Sequence, residues 1–535
     1  IKFYQIMKTK LFKPLLGAFL LAFMLNSCKR DITSEVETSP QTNAGISTAT
    51  ITNTWRNNPY KLNVIYFVPN DVDTITNYQK RLSNIMLQLQ KFYGDNLQRA
   101  GYGYTSFGLD LLSDTKVNII TIKGTKGKAS YPYEGGGGVV LDEVRQYFTQ
   151  NPLQKKSDHN LIIMPSYNSD PNNPGGPPFY GLGRDCFALD YPGMDTDKLG
   201  VAGATGDLAT KWIGGLAHEL GHGLNAPHNK EHKTDKPTLG TALMGAGNYS
   251  YGKTPTYITN ATSALFSLSQ TFATATRSDW YASVQNSLVK LKGEFRDNKI
   301  IISGKYTSSL PVKVVNVYHD PFPAGGNQDY DAVAWDTHPT GGDSFSVECP
   351  LDDFYTLSGQ YELKLNFYHE NGTLVTYKYQ YEFVNGVPNI SVINTKDLLD
   401  RTGWQALSAD SQESSDGVIA NILDGNSSTV WHTKWRGGEA PLPHQFVVDM
   451  GAAKTINGFA FTNRSNLNGA MKDIEIFKSN DNSTWTSIGT FSLKAQQNWQ
   501  YVDLAQAQSM RYVKVKVTST NGGFQYTHLA EFAAY

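Results

Sequence analysis

Eleven consecutive residues, His218-Glu219-Leu220-Gly221-His222-Gly223-Leu224-Asn225-Ala226-Pro227-His228, constrain this chain more than any other stretch. Side chains four apart on a helix project from one face, so a helix here sets the His218 and His222 imidazoles side by side. Glu219, one position on, points slightly aside. Two rings on one helical turn can grip a single ion, but one helical face cannot fill a tetrahedral set. A third donor has to be returned by a stop and a reversal. Asn225 is placed for that stop, because Asn, after Gly, most readily takes the left-handed conformation that ends helices. Pro227 then bars the helix from resuming. His228 is carried back toward the other two rings. Neutral imidazoles suit Zn²⁺, and Glu219 is placed to reach a water rather than the ion.

The arrangement resembles the signature of the metzincin zinc peptidases, HExxHxxGxxH followed by a Met-turn. His218, Glu219, His222 and His228 match it, and Asn225 stands where the family has Gly. Thr241-Ala242-Leu243-Met244-Gly245, sixteen residues after His228, resembles the Met-turn. The resemblance covers about residues 59–290. It implies a peptidase domain in which three histidines hold zinc, Glu219 is the general base and Met244 packs beneath the ion. Some metzincins add a Tyr two residues after the Met. Position 246 here is Ala, so Tyr249 and Tyr251 are the neighbours to weigh, as substitutes or as simple packing.

A chain of 535 residues is too long for one core and implies three or four domains. Apolar spacing predicts helices over 74–99, 139–148 and 207–223, the last carrying the histidines. Strand-like runs fall at 61–68, 107–112, 116–123 and 160–165, with an edge strand at 183–191. Strands alternating with helices predict an α/β catalytic domain. Gly135–Gly138 precedes a helix without the Lys-Ser/Thr pair of a phosphate cradle and reads as a flexible loop. No GxSxG occurs, so serine-hydrolase chemistry has no support.

Two all-β domains are expected to follow. Residues 291–397 hold short strands between turns. Asn371-Gly372 divides two of them, a hairpin signal because both residues tolerate positive φ. This predicts an immunoglobulin-like sandwich, in which His319, Asp320 and His338 read as isolated surface residues. Residues 398–535, with the run 421–451 and the ending Leu529-Ala530-Glu531-Phe532-Ala533-Ala534-Tyr535, resemble the discoidin-like jelly roll of coagulation-factor type C domains and family 32 carbohydrate-binding modules. The resemblance implies a structural Ca²⁺ on Asp424, Asn426, Thr429 and Glu531, whose hard oxygens suit that ion. It also implies a glycan-binding face from His432, Trp435, Arg464 and Phe524, with Trp431 in the core.

Lys8, Lys10 and Lys13 precede an apolar run ending in Leu25-Asn26-Ser27-Cys28. This resembles a lipoprotein signal peptide over 1–28, lipidated at Cys28. Residues 29–58, polar and aperiodic, read as a flexible linker. An extracytoplasmic membrane lipoprotein is expected, with the cell surface as one location and membrane contact through the lipid alone. Cys186 and Cys349 allow one disulfide or two free thiols. A net charge of −1 without a basic stripe argues against nucleic acid as a partner. The function expected is a zinc metalloendopeptidase acting on extracellular proteins, glycoproteins among them. The alternative is a non-catalytic glycan-binding adhesin that keeps the zinc scaffold.

Overall fold

The computed structural model describes residues 54–322 and 329–535. The leader, Cys28 and the linker as far as residue 53 lie outside the described residues. The end of that linker does not behave as a tether. Trp55 is buried against Gly94, and the Asn58 side-chain amide donates to the Ser106 and Thr271 carbonyls. One large indole and two buried hydrogen bonds tie these residues to the first domain.

The first region is built on strands β1 (Asn63–Val68), β2 (Ile120–Lys123), β3 (Asn160–Pro165), β4 (Gly181–Leu182) and β5 (Asp185–Asp190), in the order β2-β1-β3-β5-β4. All pair in parallel except β4, which is antiparallel to β5. Its three longest helices are α1 (Tyr78–Arg99), α2 (Gly136–Gln150) and α3 (Ala204–Gly223). Strands β1, β3 and β5 are almost wholly buried, as a sheet covered on both faces requires. The segment expected as an edge strand over 183–191 is therefore interior, and two-residue β4 forms the edge. Gly136–Gly138, expected in a loop, are the first turn of α2. Gly136 and Gly137 pack so tightly on Tyr131 and Tyr180 that a side chain would collide.

The second region pairs two sheets over one aromatic-rich core. Strands β6 (Asn286–Arg296), β7 (Lys299–Ser308) and β10 (Ser344–Pro350) lie in the order β6-β7-β10. Strands β8 (Val312–Pro321), β9 (Val333–Thr337), β11 (Gly359–His369), β12 (Leu374–Val384) and β13 (Val387–Pro388) lie in the order β9-β8-β11-β12-β13. The first strand begins ahead of residue 291. The β11–β12 hairpin is present, but only Gly372 has positive φ. Asn371 is buried instead, its amide donating to the Asp279 and Ala282 carbonyls, so the turn is docked rather than exposed. His319 and Asp320 are also not surface residues. They are 0% and 4% exposed, and His319 Nδ1 meets the Tyr381 hydroxyl at 2.8 Å. His338 is exposed and packs on Tyr102. Cys186 and Cys349 are both buried and free.

The main sheet of the third region is built from β14 (Gln405–Ala409), β15 (His444–Thr462), β16 (Asp473–Ser479), β17 (Thr486–Ser492), β18 (Gln500–Val517) and β19 (Glu531–Ala534). Their order is β14-β15-β18-β16-β17, with β19 also paired to β15. Trp431 is fully buried in this core against Phe446. The described part of the molecule is thus mostly β-sheet, in several domains. Among the described residues no helix is long and apolar enough to cross a membrane.

Candidate active site

Helix α3 ends as its sequence requires. It stops at Gly223, and Asn225 takes φ 71°. The Ala226 amide donates to Gly221 O at 3.0 Å and the Asn225 amide to His222 O at 2.8 Å, the paired bonds of a Schellman cap. The chain reverses, and the ligating atoms of His218, His222 and His228 all lie within 4.8 Å of one another. The His222 and His228 Nε2 atoms are 3.0 Å apart. Three nitrogens on one zinc at about 2.1 Å stand about 3.4 Å from each other, inside this range.

Backbone carbonyls set two of the rings. His218 Nδ1–H donates to Leu243 O at 2.7 Å, and His222 Nδ1–H donates to Ala226 O at 2.8 Å. Each bond fixes the tautomer that turns a lone-pair Nε2 toward the common point, the usual second-sphere support of a metal-binding histidine. Burial lowers the pKa of both rings, that of His218 well below the usual value, and His218 is depressed further by the other two imidazoles. Three imidazoles facing one point, two of them held neutral, suit a divalent ion of the Zn²⁺ type.

Met244 lies in the tight turn closed by Gly245 N to Ala242 O. Its sulfur sits where a side chain on Gly221, between the two helical histidines, would project. The carbonyl just before it is the one that orients His218. Strand β4 supplies the other wall. A Cβ on Gly181 would fall 2.3 Å from that of His222, so only glycine lets the strand approach. The Gly181 amide hydrogen-bonds the Glu219 carboxylate, whose pKa burial pushes up to about 8. Leu182 beside it is 46% exposed on the open edge. Tyr180 and Tyr133 meet edge to face at 5.5 Å next to this strand. Gly181, Leu243 and Tyr180 were not read from the sequence. Gly in an edge strand was the available signal for the first.

Tyr249 is 44% exposed, and Tyr251 is buried on Phe92 and bonded to Gln88. The Tyr330 ring stacks on His228 at 3.7 Å.

In the third region, His432, Trp435 and Arg464 line a cavity of about 240 Å³ with Asp416, Val430 and Tyr526. Phe524 is one ring removed, stacked on Tyr526 at 4.9 Å, and Tyr526 in turn faces His432 at 5.3 Å. Trp435 is 47% exposed. Burial depresses the His432 pKa, leaving a neutral ring able to donate and accept hydrogen bonds. Tyr526 and Asp416 were missed because neither belongs to a motif.

Asp424, Asn426, Thr429 and Glu531 also converge. Asp424 accepts from Asn426 N at 2.8 Å and from the Thr429 hydroxyl at 2.6 Å. Asp424 is close enough to raise the Glu531 pKa, on top of burial, while Arg401 opposes both. Glu531 Oε1 is buried with no hydrogen-bond partner, as expected of an oxygen that takes a cation. The donor set fits Ca²⁺, with Arg401 as partial neutraliser through its bond to Oε2.

The F5/8 type C domain model matches residues 406–532. A sialidase of Micromonospora viridifaciens is 35% identical over 146 residues, 26% of this chain and 22% of that protein. A galactose oxidase of Gibberella zeae is 28% identical over 141 residues, 26% of this chain and 20% of that protein. The chain thus spans about a fifth of the length of these curated relatives. The crystal structure of wild-type OgpA from Akkermansia muciniphila is 41% identical with a TM-score of 0.59, covering 61% of this chain and 94% of that one. Catalytically inactive OgpA, solved in complex with an O-glycopeptide (glycodrosocin) substrate, is 40% identical with a TM-score of 0.59 and the same coverage. With that share of OgpA matched at that identity, the chain belongs to the OgpA family and carries an F5/8 type C domain.

Proposed function

We propose that the chain is a zinc-dependent endopeptidase of metzincin type that cleaves glycoproteins outside the cytoplasm. The observation that carries this reading is the convergence of three imidazoles, two of them locked by carbonyls, beside a buried carboxyl. His218, His222 and His228 would hold the ion, which supplies Lewis acidity toward a water and the scissile carbonyl. Glu219 accepts the water proton and passes it to the leaving amine. The Gly181 amide hydrogen-bonds this carboxylate from the neighbouring strand. The open edge of β4 offers main-chain groups to an extended peptide laid across the site.

Family membership with OgpA, whose inactive form holds an O-glycopeptide, favours O-glycosylated substrates. The Trp435 face of the C-terminal cavity would stack on a sugar ring, while Arg464 and His432 bond its hydroxyls. Tethering enzyme and glycan in this way raises the local substrate concentration. Ca²⁺ on Asp424, Asn426, Thr429 and Glu531 would brace that domain. Anchoring through Cys28 belongs to the same proposal.

The test compares wild type with Glu219→Ala on casein and on an O-glycosylated mucin-type peptide. Cleavage should fall about a thousandfold with one zinc retained per chain. Cleavage that survives the substitution, or a purified wild type without stoichiometric zinc, would refute the reading.

A further inference from the structure

His218 and His222 are oriented by their own helix and by neighbouring turns. His228 lies beyond the helix end, after Pro227, where helical geometry no longer sets its ring. Its face is covered by Tyr330 at a centroid distance of 3.7 Å and 25° between planes. The same phenol ring lies nearly parallel to His218, 6.4 Å away. Tyr330 belongs to the sandwich, on the connection between β8 and β9, and not to the region that carries the histidines.

The junction around it is fastened at several points. The Lys230 amide donates to Ala332 O at 2.7 Å, and Lys230 pairs in parallel with Val333. Lys230 Nζ meets Asp331 at 3.1 Å. His232 Nε2–H donates to Ala334 O at 2.9 Å, and its ring stacks on Trp335 at 4.7 Å. The segment after His228 and the segment after Tyr330 therefore run side by side, held by backbone and side chain together.

We propose that Tyr330 is a positioning residue, through which the sandwich domain completes the metal site by stacking on the third ligand. The inference rests on the zinc reading above. A parallel ring restricts the imidazole torsion without using either of its nitrogens, so the ligand arrives pre-oriented and loses little entropy on binding. The site is then shared between two domains, and the sandwich is part of the catalytic apparatus rather than a spacer.

The experiment uses the full chain with Tyr330→Phe and Tyr330→Leu, read by zinc affinity in chelator competition and by the visible spectrum of the cobalt-loaded protein. The phenylalanine variant keeps the face and should hold metal within about twofold of wild type. The leucine variant keeps bulk but loses the face, and should bind about tenfold more weakly with a changed cobalt band. Wild-type affinity and spectrum in the leucine variant overturn the proposal. So does a phenylalanine variant as weak as the leucine one, since that assigns the effect to the hydroxyl. Should the leucine variant not fold, Asp331→Ala loosens the same junction and is read the same way, with a smaller loss expected and wild-type affinity overturning the proposal. A wild type that binds no zinc fails the zinc reading itself. A wild type that binds and cleaves beside an unaffected leucine variant fails this inference alone.

Discussion

Around the histidines, orientation comes from backbone: Leu243 and Ala226 carbonyls set two rings, and the Gly181 amide holds Glu219. In the C-terminal cavity the contact surface is side chain, with Trp435 47% exposed and Tyr526, His432 and Phe524 stacked in series. The contrast follows from what the two proposed tasks demand. Metal ligation needs donors placed within tenths of an ångström, which only rigid interior elements supply. A sugar ring asks for a flat apolar face and a few hydrogen bonds, which loops on a stable sandwich can offer.

The comparison breaks hardest if the interior site lacks the strain that burial implies. In metal-free protein, Glu219 binds its proton more tightly folded, at about 8, than unfolded, near 4.5. The folded state therefore carries more protons between these values, and stability is lost as pH rises through the window. The loss amounts to at most roughly 5 kcal/mol, at about 1.4 kcal/mol per unit. Urea unfolding of metal-free wild type and Glu219→Gln at pH 5 and pH 8 checks it; parallel pH dependence in the two proteins would remove the claim. Below pH 6.5 buried His159, depressed by burial to about 4, acts in the opposite sense, losing stability as pH falls. The difference between the two proteins isolates the carboxyl.

The surface site should respond more gently and independently. Trp435→Ala should weaken binding to an O-glycosylated mucin about tenfold while leaving kcat on an unglycosylated peptide unchanged. Calorimetry with the glycan and a peptide assay read the two halves, and a shared loss would mean the sites are not separable. The smallest effect expected is that of calcium. Chelation, or Asp424→Asn, should lower the melting temperature by a few degrees, about 1 kcal/mol. A melting curve indifferent to both would remove calcium from this set and leave Arg401, on Oε2, as the counter-charge of Glu531.

Legibility in the sequence followed distance along the chain. The helix, its stop at Asn225 and the return to His228 were readable because each bond involved spans a handful of residues. The β11–β12 hairpin was readable as a pairing but not as a turn type, because Asn371 is claimed by Asp279 and Ala282 of a distant segment. His319 and Asp320 looked like surface residues since strand alternation does not announce which buried polar groups find partners across the core. The edge strand was displaced to Gly181–Leu182 because a two-residue strand leaves no periodicity to detect.

The sequence by itself determined which chemistry this protein can hold: two imidazoles one helical turn apart, a carboxyl beside them, a residue able to end the helix, and a third imidazole within reach. Local backbone sterics and helical geometry are enough for that. Tertiary structure alone decided how those groups are aimed. The Leu243 carbonyl, the Gly181 amide and the Tyr330 ring come from separate elements, and the last from another domain. Their meeting depends on how sheets and loops pack, and packing is set by the summed burial of residues that carry no motif.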